Sequence, residues 1–418
     1  MLVFKFGGAS VKDAASVRNV VRIIQSYPNQ QILVVVSAMG KMTNKLEEIV
    51  LALTKKDYGL LDQLQKEFYV YHQTIFNELF VENIEELKPK FQAKFDEFYS
   101  TCNQASSLSN AMLYDAIVPY GELLSTWIVH HYLSTFFKSA LLDASTVVKT
   151  DDKFKSATVN MRKTCELVCS RVDALFRDVN IIVTQGFIGS ADSGARTTLG
   201  REGSDYTGAI FSYCLDAESL TIWKDVDGMY NADPKAFPKA QKIDEVSYKD
   251  AIELSYYGAS VIHPKTIQPL QNKGIPLYVK SFLNPSLSGT VIQQNAKNQI
   301  PCFIVKKGQV LVSLSSKDFS FIVERHLADI FNRYDELNMK INIMQNSAVN
   351  FSALFDAQVF DEARVLDAFS RDYEVRYNTN LELLTIRHYN EEIINELTYQ
   401  KEILLEQRTR ETVRFVMR

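Results

Sequence analysis

Short apolar runs recur through the first 290 or so residues, each followed by a glycine- or hydroxyl-rich turn and then by a stretch whose apolar positions return every three or four residues. Leu2–Phe6, broken only by Lys5, is such a run, and Gln31–Ser37, Lys138–Asp143, Ile181–Gln185 and Leu220–Trp223 are others. Runs of this length without alternation predict strands buried on both faces. Helical periodicity follows Ser10 to about Ile24 and returns over Leu123–Ile128, about Val159–Phe176 and Ala209–Leu215. Strands alternating with helices predict an α/β unit whose mostly parallel sheet lies between helices. The region from Leu46 to about Ala105 is helical throughout and reads as an inserted lobe without chemistry. Its Phe and Tyr residues are core candidates, since no basic stripe accompanies them.

The pattern changes beyond Gly289–Ile292 and a polar linker over Gln293–Pro301. Strands are predicted at Val310–Leu314, Ile341–Met344, Asn350–Phe355 and Glu374–Tyr377, with helices near Val323–Tyr334 and Glu362–Phe369. A second, shorter set has strands at Leu381–Ile386, Glu402–Leu405 and Thr412–Val416 and a helix near Glu391–Leu397, with Phe303–Lys306 completing it. Residues 1–295 are therefore expected to form one domain and 302–418 a tandem of small β-α-β-β units, about 309–378 and about 302–306 plus 380–418.

Composition narrows the partners. The 418 residues carry 46 basic and 50 acidic side chains, a net charge of -4, so no broad cationic surface points to nucleic acid or membrane. The longest apolar run, near Ile32–Met39, is too short to span a bilayer, and a soluble cytoplasmic protein is expected. Five cysteines are too sparse for a disulfide framework. Cys165 and Cys169, four apart on a predicted helix, read as core residues rather than half a metal site, and no metal site is expected in the protein itself.

Candidate chemistry centres on T-T-L-G-R-E-G-S-D-Y-T, Thr197–Thr207, just before a helical run. A glycine turn at a helix start presents free N–H groups to an anion, and Arg201 has the fork that grips a carboxylate or phosphate. Ser204 and Asp205 fit helix capping equally well, or Asp205 a cation. Lys5 before Gly7, Gly8, Ala9 and Ser10 sets a cation beside a strand–loop–helix turn, though a plain turn explains the same residues. Neither a Walker loop nor a G-x-G-x-x-G fingerprint is present. Thr43 lies just past a strand end, where ligands collect in open α/β sheets, and capping would explain it too. Glu122 stands among apolar neighbours and needs a cationic partner or ligand unless it only favours a helix start. Lys224–Lys235, with Asp225, Tyr230 and Lys235, is a polar loop suited to a nucleotide or to an ordinary surface turn. His263 before Pro264 reads as structural.

Taken together and in order, K-F-G-G-A-S-V (Lys5–Val11), S-A-x-x-x-x-T-N (Ser37–Asn44), G-E-L-L-S-T (Gly121–Thr126), T-Q-G-F-I-G (Thr184–Gly189), the Thr197–Thr207 run, W-K-D-V-D-G-M-Y (Trp223–Tyr230) and Y-G-A-S-V-I-H-P (Tyr257–Pro264) closely resemble the aspartokinase family over about 280 residues. The resemblance implies an amino-acid-kinase fold followed by ferredoxin-like ACT domains. It implies ATP-dependent phosphorylation of the side-chain carboxylate of L-aspartate, with Mg²⁺, on the way to lysine, threonine and methionine. Lys5 and Asp205 match the catalytic positions, and Thr43, Glu122, Phe187, Arg201 and Ser204 the amino-acid site. Lys5, Gly7, Gly8, Ser10, Lys224, Asp225, Tyr230, Lys235 and Ser260 match the nucleotide site. In the ACT region Ser315, Asp318, Phe319, Asn342, Gln345, Asn346 and Ser347 match effector positions, and a homodimer or larger homo-oligomer is implied.

The chain departs from the family pattern in places. Ala9 stands where threonine is usual, Tyr120 where histidine often precedes the glycine, and Glu202 where glycine is common. Ser260 replaces a lysine near the phosphates, and Lys224 is expected to supply the missing cation. Relatives that bind lysine often carry acids where Asn342 and Ala348 stand, which does not favour lysine as effector. Another amino-acid kinase or a non-catalytic amino-acid sensor are the competing readings.

Overall fold

A computed structural model describes residues 1–104, 108–257, 262–296, 300–318 and 320–418. Contacts divide the chain into two compact units, one of Met1–Met229, Lys242–Ser255 and Ser260–Asn298, the other of Tyr230–Gln241, Tyr256–Ala259 and Gln299–Arg418.

The first unit is built on an eight-stranded sheet in the order Glu245–Ser247, Thr290–Gln293, Leu277–Ser281, Ser219–Lys224, Leu2–Phe6, Ile32–Val36, Ile181–Gln185 and Ser139–Leu142. Every neighbouring pair is parallel except Leu277–Ser281 with Thr290–Gln293. All five residues of Ile32–Val36 and of Ile181–Gln185 are buried, as continuous apolar runs require between two helix layers. A small three-stranded sheet, Lys149–Thr150, Ile188–Ala191 and Arg196–Thr198, leads into the glycine–arginine turn. The helical lobe consists of Met42–Lys55, Tyr58–Leu79 and Ile84–Gln104. Its aromatic residues, with Phe76 stacked on Phe91 at 4.5 Å, share one continuous apolar core with Phe4, Phe6 and Val34 of the sheet. The lobe is thus packed as core, as its lack of a basic stripe suggested.

Helix ends follow local chemistry. Asp13 caps Ala14–Gln25 by accepting the Ser16 N–H at 2.7 Å. His263 caps Pro264–Lys273 through the Lys265 N–H at 3.1 Å, the structural role expected of it. One expected boundary moves: the helix predicted from Ala209 begins at Gly203. Its N-cap is Glu202, in the left-handed region at φ 54°, with no side-chain cap bond, so Ser204 and Asp205 are first-turn residues rather than caps. Cys165 departs more sharply from expectation, since it is bonded to Cys214 at the far end of that helix. The Cys169 thiol donates to the Cys214 carbonyl at 3.0 Å.

The second unit carries one six-stranded sheet, ordered Ile343–Asn346, Asn350–Asp356, Cys302–Ser316, Tyr373–Arg387, Thr412–Met417 and Ile403–Arg408, with every pair antiparallel. It is the ACT-like, ferredoxin-type layer, but the expected short strands are fused. Phe303–Lys306 and Val310–Leu314 are parts of one 15-residue strand, and Glu374–Tyr377 and Leu381–Ile386 are parts of another. A register shift between Lys306 and Leu311 accommodates the polar break. The helix-covered positions accordingly change from odd (Phe303, Val305) to even (Val310, Val312, Leu314) across it. Helices Glu324–Glu336 and Glu362–Phe369 serve the first half and Glu391–Thr398 the shorter second half. No helix among the described residues is long and apolar enough to cross a membrane.

Candidate active site

Four adjacent parallel strands, Ser219–Lys224, Leu2–Phe6, Ile32–Val36 and Ile181–Gln185, end on the same edge of the sheet, the edge where open α/β sheets gather ligands. There a cavity of about 490 Å³ is lined by Lys5, Gly8, Ser37, Ala38, Gly40, Thr43, Glu47, Tyr114, Glu122, Lys155, Phe187 and the run Gly200–Asp205. Lys5 and Arg201, far apart in the chain, open onto this one space. With them stand all the other residues matched to the amino-acid site: Thr43, Glu122, Phe187 and Ser204.

Asp205 is the electrostatic hub. It is fully buried in the first turn of Gly203–Cys214, with Lys5 Nζ 2.5 Å from one carboxylate oxygen and Lys224 Nζ 3.3 Å from the other. Burial pushes its carboxyl up, but the two ammonium groups outweigh that and hold it below the usual carboxylate range. The lysines come from neighbouring strands in register, Lys5 opposite Ile222, which explains why one carboxylate reaches both.

Glu122 is the counterpoint. It sits in the first turn of Tyr120–Leu133, 3% exposed, and one of its carboxylate oxygens has no hydrogen-bond partner. Burial drives its carboxyl up to about 8, against the opposing pull of the Ala38 and Glu122 backbone N–H groups and the charge of Lys5. The expected cation is therefore not in an ion pair among the described residues. The helix can approach this closely because residue 121 is glycine: a Cβ there would lie 2.8 Å from that of Ala38.

The Arg201 turn is tightly held. Leu199 N–H donates to the Phe187 carbonyl at 2.9 Å, and Phe187 N–H to Thr207 Oγ1 at 2.9 Å. Lys265 Nζ donates to the Leu199 carbonyl at 3.1 Å. Thr43 lies one residue into Met42–Lys55, whose N-cap Lys41 makes no side-chain cap bond, so capping is not Thr43's task.

The residues matched to the nucleotide site are more scattered. Gly8 lines the cavity, and a Cβ on Gly7 would lie 3.6 Å from Lys5 Nζ. Ser10 is buried and donates to the Trp223 carbonyl at 3.1 Å, tying the glycine turn to the neighbouring strand. Asp225 is exposed. Tyr230 and Lys235 belong to the second compact unit, and the Lys235 N–H donates to Asp233 at 2.9 Å. Ser260 lies outside the described residues.

The described residues matched to effector positions have several different sets of neighbours. Asn342 is bound up with Lys306, Gln309 and Asp356, at 3.1, 2.8 and 3.0 Å. Ser315 donates to Asn350 at 2.6 Å and the Asn350 N–H to Ser347 at 3.1 Å, while Gln345 and Asn346 are exposed on an edge strand. Asp318 lines a separate hollow with Lys317, Arg325 and Arg371. Phe319 lies outside the described residues.

Sequence reasoning missed Glu47, Tyr114, Lys155 and, behind the wall, Asp115. Glu47 sits one turn beyond Thr43, in a lobe read as chemically silent. Asp115 had a signal: like Glu122, it is a carboxylate inside an apolar helix.

The model of the amino acid kinase family matches residues 1–281. Lysine-sensitive aspartokinase 3 of Escherichia coli (strain K12) is 30% identical over 363 residues, an overlap covering 85% of this chain and 78% of the relative. Chloroplastic aspartokinase 1 of Arabidopsis thaliana is 29% identical over 367 residues, covering 85% of this chain and 63% of the relative. The crystal structure of E. coli aspartokinase III in complex with lysine and aspartate (T-state) matches with a TM-score of 0.85 at 25% identity, over 100% of this chain and 95% of that one. The same enzyme in complex with aspartate and ADP (R-state) matches at 0.83 and 25%, over 100% and 96%.

Proposed function

Since the chain belongs to the amino acid kinase family, and within it to the aspartokinases, we propose that it transfers the γ-phosphoryl group of ATP to the side-chain carboxylate of L-aspartate, giving 4-phospho-L-aspartate and ADP. One observation carries the reading: a single cavity is lined by an unpartnered buried carboxylate, a guanidinium and Lys5 paired with Asp205, which also holds Lys224.

Each group answers one need of the reaction. A carboxylate is already nucleophilic at neutral pH, so no base is required, and catalysis rests on positioning and charge compensation. Glu122 receives the α-ammonium and Arg201 the α-carboxylate, which leaves the β-carboxylate free to attack the γ-phosphorus. The new bond joins that oxygen to phosphorus, the bond to the bridging oxygen breaks, and ADP departs. Lys5 offsets the repulsion between the two anions, and Asp205 aims both lysines. Ser204, Thr43 and Phe187 complete the amino-acid wall.

A polyphosphate fits the glycine turn and the two lysines. Gly8 lets that turn close onto the Ala38–Gly40 backbone, since a Cβ there would lie 2.7 Å from the Gly40 carbonyl oxygen. ATP enters as a substrate with magnesium on its phosphates. Lys224, Asp225, Tyr230 and Lys235 serve the nucleotide. We assign the chain to the cytoplasm, to the route towards lysine, threonine and methionine, and to a homodimer or larger homo-oligomer whose ACT-like region takes an amino-acid effector.

Incubation with MgATP and L-aspartate, L-glutamate or no acceptor, followed by ADP release and hydroxylamine trapping of the acyl phosphate, tests the reading. Hydroxamate is expected with L-aspartate alone. ADP release independent of the acceptor would overturn it.

A further inference from the structure

Three non-glycine residues on the cavity wall have left-handed backbones: Lys155 (φ 68°), Phe187 (φ 69°) and Glu202 (φ 54°). Such strain persists where surrounding structure imposes it, and it concentrates at functional sites. Phe187 is explained by its hydrogen bonds to the Arg201 turn; Lys155 calls for its own account.

Its segment is held by Asp115, a fully buried carboxylate that does not itself line the cavity. One oxygen of Asp115 accepts the Lys155 N–H at 2.9 Å and the Thr198 hydroxyl at 2.8 Å, and the other accepts the Thr198 N–H at 2.9 Å. Thr198 lies three residues before Arg201, and the Ala157 N–H closes the link by donating to the Thr198 carbonyl at 2.9 Å. A single carboxylate thus fixes the two segments that bear Lys155 and Arg201. The Lys155 ammonium lies 5.3 Å from the centroid of the Tyr114 ring, whose hydroxyl donates to Glu47 at 2.9 Å. No ion pair holds that ammonium among the described residues.

We infer that Lys155 is a further substrate-binding residue, a second cation beside Arg201 for the carboxylates of a dianionic amino acid, and that Asp115 is the positioning residue that sets the two in register. The inference rests on the reading of the cavity as an aspartate site. A lysine held in a conformation that favours glycine, at the mouth of a site for an anion, contributes charge at the expense of backbone comfort.

Steady-state kinetics on the full chain with Lys155→Gly and Lys155→Arg tests this. Lys155→Gly removes the charge and relieves the backbone, so the protein is expected to unfold at an equal or higher temperature. Its KM for L-aspartate should nevertheless rise roughly tenfold, the worth of about one charge-assisted hydrogen bond, with kcat and the KM for ATP within about twofold. Lys155→Arg should recover most of the affinity, and the salt dependence of kcat/KM should be shallower in Lys155→Gly than in the unsubstituted protein. Asp115→Asn should raise the KM for L-aspartate by a larger factor, with a smaller effect when Lys155→Gly is already present. An unchanged KM in Lys155→Gly overturns the inference alone. No turnover of L-aspartate by the unsubstituted protein overturns both it and the reading beneath it.

Discussion

Glu122 and Asp205 are both buried carboxylates in first turns of helices, yet their surroundings push them in opposite directions. Two lysines keep the Asp205 carboxyl below the usual carboxylate range, whereas burial pushes Glu122, with one oxygen unpartnered, up to about 8. The raised value means that Glu122 favours the folded state below pH 4.5 and that this contribution is lost as pH rises through about 8. Ionised Glu122 is the form that pairs with an ammonium. Calorimetry near neutral pH should therefore show L-aspartate binding with proton release and growing tighter towards pH 8, and Glu122→Gln should bind weakly without that dependence. Lys224 makes a second residue-level case. It shares Asp205 with Lys5, so Lys224→Ala should raise the KM for ATP about tenfold while leaving the KM for L-aspartate within about twofold, and an unchanged KM for ATP would remove it from the nucleotide site. Much at this scale was legible: Lys5, Glu122 and Arg201 announced themselves as charges in apolar or glycine-rich settings. Asp115 and Lys155 did not, because the sequence does not display which backbone N–H groups a carboxylate will collect, or a positive φ at a lysine.

At the scale of elements, the strand–glycine turn–helix units were readable because fully buried strands lack polar positions. Boundaries were less so. The helix that carries Ser204 and Asp205 starts at Gly203 rather than Ala209, since hydroxyl and acidic residues that commonly cap a helix here lie inside its first turn. The long strand Cys302–Ser316 was read as two because Lys306–Gln309 interrupts the apolar pattern, and a bulge absorbs the interruption. The glycine turn gives a prediction at this scale. An added Cβ at residue 8 would meet the carbonyl oxygens of Gly40 and Ala38 at 2.7 and 2.8 Å, and backbone cannot swing aside. Gly8→Ala should cost about 1–3 kcal/mol in urea unfolding and raise the KM for ATP, as the two turns part.

In the whole molecule, the compact units do not follow the chain in simple order. The segment Tyr230–Gln241 belongs with the second unit, where the Phe303 N–H donates to the Asn231 carbonyl at 2.7 Å and the Phe237 and Phe303 rings meet edge to face at 4.8 Å. Truncation after residue 298 takes those partners away. The Tyr230–Gln241 segment of the truncated protein should therefore be cleaved faster in limited proteolysis than in the full chain, and an unchanged cleavage rate would show that it does not depend on those partners. The α/β class and the appended small-sheet region were evident from periodicity, but membership of a mid-chain loop in the later unit depends on contacts across some 70 residues that no local pattern records.

The two longest strands of the second unit, Cys302–Ser316 and Tyr373–Arg387, each run through both halves of its sheet. A tandem joined by a linker can be shuffled, duplicated or lost one piece at a time. Halves that share their central planks cannot, so the region answers as an indivisible board: an alteration that loosens either end is felt at the other.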